Sequence, residues 1–158
     1  MTEESFDAFY VREFRNMVAL AASVSGSHLL AEDLAQEAMA RVYRRWDRVS
    51  SYDKPGAFLR RVTINLALSR RRRNAVAAAA ARRLRHESLP PPPEPHEEVW
   101  AAIARLPGNQ RAAIALHYLE DRPIDEIAGI LSCSAATARV HLHRGRKALA
   151  MMLEGDRA

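Results

Sequence analysis

PIDEIAGILSCSAATARVHLHRGRKAL, residues 123–149, reads as two helices meeting at a tight angle, the second carrying cations on an exposed face. In its first half Ile124, Ile127, Ala128 and Leu131 recur at helical spacing and form one apolar stripe. Asp125 and Glu126 occupy the first turn, where the helix dipole favours anions. Ser132, Cys133 and Ser134 break the periodicity, and Ser134 is placed to cap the next helix by accepting from an otherwise unpaired backbone N–H. In that helix Ala138, Leu142, Gly145 and Leu149 face inward, which leaves Ala135, Ala136, Arg139, Val140, His143, Arg144 and Lys147 outside. A helix-turn-helix of this kind sets its second helix in the DNA major groove, with N-terminal residues at base edges and later cations at phosphates. Taken alone, the segment also fits a helical hairpin with a solvated basic face.

Composition favours the first reading. The 158 residues suit one domain or two small ones, and 48% hydrophobic with 27% charged residues is the balance of a soluble globular chain. The net charge is +5, and 22 of the 24 cations are Arg, whose planar fork suits phosphate and guanine. Nucleic acid is therefore the expected partner, although a GC-rich genome also raises Arg content. A single cysteine, Cys133, excludes an internal disulfide framework and fits a reducing compartment. The sequence has neither an apolar run of membrane-spanning length nor a basic-then-apolar leader, so a cytoplasmic location with no membrane partner is expected.

From the start of the chain, Phe6, Phe9, Tyr10, Phe14, Met17, Val18 and Ala21 predict a helix over 5–24 with a wide apolar face. Gly26 and Ser27 end it and begin the next. A second helix is expected over 29–48, with Leu30, Leu34, Ala38, Val42 and Trp46 as its buried stripe. Asp33, Gln36, Glu37 and Ala40 share another face, and Arg41, Arg44, Arg45 and Arg48 crowd the C-terminal half, where the dipole suits cations. By pattern alone that acidic face is an ordinary solvated surface, with Glu37 and Arg41 as an i, i+4 pair. The turn-rich SSYDKPG, 50–56, leads into a third helix with Pro55 at its first position. That helix is apolar apart from Arg60, Arg61, Thr63, Asn65 and Ser69, and it leaves through four consecutive cations, Arg70 to Arg73. Asn65 is either a satisfied core amide or a base reader. Tyr52 and Phe58 bring aromatic surface to the same place as the cations, a combination used to hold single strands.

The Ala-rich run 74–85 is able to extend the third helix, whereas HESLPPPPEP, 86–95, cannot be helical. Its prolines favour a stiff rod holding two domains apart. The expected division is a first domain over 1–85, a Pro-rich linker over 86–95 and a last domain over 96–158. In the last domain Val99, Ile103 and Leu106 make a short helix that stops at Pro107. Gly108 and Asn109 turn the chain into a helix holding Ile114, Leu116 and Leu119, and Trp100 is expected in the core. His117, His141 and His143 lack metal-ligand spacing, and the sequence contains neither a glycine-rich phosphate loop nor a nucleophile–base set. No metal, cofactor, small-molecule substrate or enzymatic activity is expected. The fold class is all-α, with two small helical domains.

Four segments in order, AEDLAQEAMARVYRRW, PGAFLRRVTINLALSRRRR, LPGNQRAAIALHYLEDRPIDEIAGIL and SCSAATARVHLHRGRKAL, resemble the bacterial extracytoplasmic-function (ECF) sigma factors of the sigma-70 family, with an actinobacterial-like Ala and Arg content. The resemblance covers most of the chain. It implies a sigma-2-like domain that docks on core RNA polymerase and melts the −10 element, and a sigma-4-like domain that binds the −35 element. Asp33, Gln36 and Glu37 match the segment that docks on the beta-prime clamp helices, and the beta flap is the second polymerase contact it implies. Tyr52, Lys54, Phe58, Arg61 and Asn65 correspond to the −10 contacts, where the pocket for an extruded base must offset a few kcal/mol. Ser134, Ala136, Thr137, Arg139, Val140, His143 and Arg144 correspond to the −35 contacts. An anti-sigma factor is a further partner within the family's range. The chain departs from the family at Ser69, often Asp, at Ser132, usually Gly, and at Pro123, usually Ser or Thr. The competing function is a self-sufficient helix-turn-helix regulator, which needs a symmetric dimer to read two half-sites.

Overall fold

The computed structural model describes residues 4–82 and 97–155, and every regular element among them is a helix. The Pro-rich linker expected over 86–95 lies outside the described residues. Helix α1, Phe6–Ser25, starts at Ser5, whose Oγ accepts from Ala8 N at 3.2 Å. It stops at Gly26, where φ of 74° is left-handed and Gly26 N donates to Ala22 O at 2.9 Å. Ser27 then caps α2, His28–Arg44, through Leu30 N at 3.3 Å. Phe9, Met17 and Ala21 of α1 are fully buried against Leu34, Ala38 and Val42 of α2.

The second helix ends earlier than its periodicity predicts. Arg45 leaves the helical region, and a separate turn, α3 (Trp46–Val49), follows. The break swings Trp46 onto α1, with ring centroids 5.5 Å from Phe6 and 4.9 Å from Phe9. Aromatic pairing of about 0.5–1.5 kcal/mol per contact outweighs the helical hydrogen bonds lost there. Helix α4, Pro55–Arg82, opens on Pro55 and takes in part of the Ala-rich run.

The remaining helices are α5 (Glu97–Ala104), α6 (Gly108–Tyr118), α7 (Ile124–Leu131) and α8 (Ala135–Gly155). Gly108 and Asn109 are the first residues of α6 rather than a turn before it. Helix α8 packs on α6 so closely that a Cβ at Gly145 would stand 2.8 Å from Ile114 Cγ1. The connector between α7 and α8 turns at Ser132, whose φ of 56° makes it a non-glycine left-handed cap, at a cost of about 1 kcal/mol. Cys133 N donates to Ala128 O at 3.0 Å across that bend, and Ser134 Oγ accepts from Thr137 N at 3.1 Å. Pro123 precedes α7 without a side-chain cap.

Two expectations fail. Trp100 is not core: it is 37% exposed and edge-on to His28 at 5.8 Å, because α5 packs inward through the small Ala102 instead. With Val99, Tyr118 and Leu119, also exposed, it lines an apolar cavity of about 390 Å³. Nor are the two helical groups held apart. Helices α5 and α6 lie on α1, α7 lies on α4, and one buried cluster runs from Phe9 to Leu142. A stiff spacer restricts only the distance between its own ends, while the apolar faces of α1 and α6 gain by covering each other.

Candidate nucleic-acid interface

A groove between α2 and α4 brings cations together with an amide and an aromatic ring. Arg41, Arg44 and Arg45 from the end of α2 face Phe58, Val62 and Asn65 of α4 around a cavity of about 430 Å³. It continues along α4 past Asn65 to Ser69, Arg72 and Arg73. Asn65 is exposed, which removes the core-amide alternative. Tyr52 is 44% exposed and stands edge-on to Phe58 at 5.7 Å, so the two rings form one ledge at the groove's mouth. The share of α2 in this groove is missed by sequence reasoning, which assigns Arg41, Arg44 and Arg45 to the helix dipole. Their spacing of three and four residues is the signal that places cations on one face.

A second surface lies on α8. Ala136, Thr137, Arg139, Val140, His143 and Arg144 are all exposed along one side, and Ala138, Leu142 and Gly145 are buried on the other, as the inward periodicity predicts. The Ser134 hydroxyl is engaged by Thr137, with 2.9 Å between their Oγ atoms, so this pair forms the cap. Arg146 leaves the cationic face and bonds back to α6, its Nε donating to Tyr118 Oη at 2.6 Å.

The third surface is the acidic face of α2. Asp33, Gln36 and Glu37 are exposed together, and Glu37 is paired with Arg41 at 3.1 Å. The three surfaces differ in character: an acidic patch on α2, a cationic groove with an aromatic ledge between α2 and α4, and an exposed, partly cationic helix face on α8.

Comparisons with known proteins identify the family. Residues 9–76 match the Sigma-70 region 2 family and residues 96–149 match Sigma-70, region 4. The RNA polymerase sigma-E factor of Streptomyces antibioticus is 31% identical over 127 residues, covering 78% of this chain and 71% of that protein. The chain belongs to the ECF sigma factors of the sigma-70 family. The ECF RNA polymerase sigma factor SigE of Mycolicibacterium smegmatis is 33% identical over 158 residues, 92% of this sigma factor and 60% of that one. In fold, it superposes on the Bartonella quintana sigma factor RpoE, solved with the anti-sigma factor NepR, at a TM-score of 0.73. That match covers 94% of this chain and 96% of the other at 24% identity. These relatives set aside the self-sufficient regulator. No described helix of this sigma factor is long and apolar enough to cross a membrane.

Within the sigma factor, the residues corresponding to −10 contacts do not share one open surface. Lys54 Nζ is 3.3 Å from Glu126 Oε1 of α7. Arg61 donates through Nη2 to Gly129 O at 2.6 Å and through Nε to Ile130 O at 3.4 Å. Between them Arg60, 1% exposed, lies between two carboxylates: its Nη2 donates to Glu13 Oε2 at 2.9 Å and its Nε to Glu120. Sequence reasoning lists Arg60 only among the polar positions of α4 and does not single out Glu13, which sits 3% exposed amid the apolar face of α1. Burial is tolerated because each charge is paired. Helix α7 thus engages Lys54 through its first turn and Arg61 through its last, while both side chains stay exposed.

Proposed function

We infer that this sigma factor directs core polymerase to its promoters by dividing three tasks among its three surfaces. Asp33, Gln36 and Glu37 dock on the beta-prime clamp helices, and the last domain contacts the beta flap. Asn65, Phe58 and Tyr52, flanked by Arg41, Arg44 and Arg45, hold the unpaired −10 strand, with Lys54 and Arg61 joining once α7 withdraws. Arg139 and Val140, with Ala136, Thr137 and His143, meet −35 base edges while Arg144 meets phosphate, and Ser134 sets the start of the helix. The first domain spans 1–85 and the last 96–158, with 86–95 as the linker threading the polymerase. Catalysis belongs to the polymerase, the site of action is the cytoplasm, and an anti-sigma factor is a partner of the kind seen on the related RpoE.

The observation that carries this reading is the groove around Asn65, where an exposed amide, an aromatic ledge and three guanidinium groups converge. A strand needs those three elements: base-edge donors, stacking surface and phosphate neutralisation. The test is transcription from candidate promoters by purified core polymerase with and without this protein. A matched pull-down uses Asp33→Arg with Gln36→Ala. Promoter-dependent transcripts and loss of core retention by the double variant are expected. Full retention would return the α2 face to a plain solvated surface.

A further inference from the structure

A cleft separate from the acidic patch and the helix-turn-helix opens between α4 and α6. It holds about 400 Å³, and no carboxylate is among its lining residues. Arg71 and Arg72 of α4 and Arg111 of α6 form its cationic wall, and Leu68 and Ala75 form an apolar one. Asn109 stands at the first turn of α6, whose N-cap, Pro107, offers no side-chain acceptor to the leading amides.

Among the described residues no acid compensates these charges. No ion pair among the described residues engages Arg71, Arg72 or Arg111. Arg111, 3% exposed, donates to Val24 O and Leu106 O, both at 2.6 Å, and Arg71 donates to Ser25 O and Ala104 O. These carbonyls belong to the ends of α1 and α5, each worth roughly half a negative charge, and the α6 N-terminus adds about half a positive one. Against the three guanidiniums, an excess of about two and a half positive charges remains. The strain is visible in Arg111, whose pKa is pushed down to about 10 by burial and by the neighbouring Arg71 charge, though it stays cationic at neutral pH.

We propose that this cleft binds a nucleoside polyphosphate, with Arg71, Arg72, Arg111 and the α6 N-terminus at the phosphates and Leu68 and Ala75 against the base. The inference goes beyond promoter recognition and does not depend on it. Its wall comes from both halves of the chain, so a ligand that bridges α4 and α6 favours their packed arrangement over any in which they separate. Free nucleotide would then hold back the sigma factor by mass action.

The test is calorimetric titration of the full chain with ATP, GTP, inorganic pyrophosphate and adenosine in metal-free buffer. Both nucleotides are expected to bind and adenosine alone to give no heat. Arg72 is exposed, so Arg72→Glu should fold and weaken nucleotide binding by at least about tenfold, since it reverses a charge beside the phosphates. Asn109→Asp should weaken it too while leaving the melting temperature equal or higher, because an anion at a helix N-terminus is favourable. Absence of heat up to about 1 mM nucleotide, or affinities unchanged in both variants, would overturn the site. Pyrophosphate binding as tightly as ATP would overturn the assignment of a nucleoside.

Discussion

Lys54 and Glu126 stand 3.3 Å apart, Nζ to Oε1, joining the loop before α4 to the first turn of α7. A cation matching the −10 contacts is thus held by the domain matching the −35 contacts, together with Arg61 on the carbonyls of Gly129 and Ile130. On the proposed reading, strand capture by Lys54 and Arg61 would break these contacts with α7.

Glu126→Gln should therefore raise affinity for a single-stranded −10 oligonucleotide. The pair is partly solvated and worth about 0.5–1 kcal/mol, so the gain should be about twofold to fivefold by fluorescence anisotropy. The same carboxyl supplies a pH dependence. Burial pushes its pKa up, but hydrogen bonds from Arg122 and Lys54 and their charges outweigh this and hold it below the ordinary 4.5. A depressed carboxylate stabilises the fold above its unfolded pKa and loses that contribution as pH falls through the folded value. The melting-temperature gap between the parent and Glu126→Gln should be widest above pH 4.5 and close below it. Glu4, lowered by its hydrogen bond from Arg12, acts alike in both proteins and cancels.

Arg60→Met should be among the most destabilising single changes. It leaves the buried Glu13 and Glu120 with only Arg12 at 2.7 Å and Arg122 at 3.5 Å as cationic partners, a loss of up to about 3–5 kcal/mol by denaturant unfolding. Adding Glu13→Leu and Glu120→Gln should recover most of it. A loss below about 1 kcal/mol for Arg60→Met would mean that water reaches the two carboxylates.

Asn65→Ala should leave the unfolding free energy within about 0.5 kcal/mol of the parent, since the side chain is exposed. Closed complexes should form normally and open complexes should decline, read as reduced permanganate reactivity of unpaired thymines. Unaltered opening would remove Asn65 from the strand contacts.

Arg139→Ala and Arg144→Ala should separate specificity from affinity. Arg139 lies nearer the start of α8, where a bidentate contact to guanine is worth about 1–3 kcal/mol of discrimination. Its loss should flatten preference across a panel of −35 variants. Arg144 is more than a turn further on, and its loss should weaken all sequences alike and reduce the salt slope by about one. Equal losses across the panel for both variants would mean that the helix reads shape rather than bases.

Local order alone carries nearly all of the helices, the caps at Ser5, Ser27 and Ser134, and the outward faces. Periodicity separates inside from outside along one helix: Ala138, Leu142 and Gly145 face in, and Arg139 and Arg144 face out, whatever the helix packs against. Ser5, Ser27 and Ser134 cap through contacts three residues away, which are legible from local order. Four segments in family order likewise carry the assignment to the sigma factors. Which helices meet is a property of the folded chain. The break at Arg45 depends on Phe6 and Phe9, far away in the chain, and no local pattern encodes their distance from Trp46. Arg60 reads as one polar residue among several because its carboxylate partners lie 47 and 60 positions away. The arginine cleft needs α4 and α6 side by side, and the contacts of Lys54 and Arg61 need α7 on α4. Each of these is a pairing between segments distant in sequence, set by which apolar and charged faces bury each other best once the helices exist.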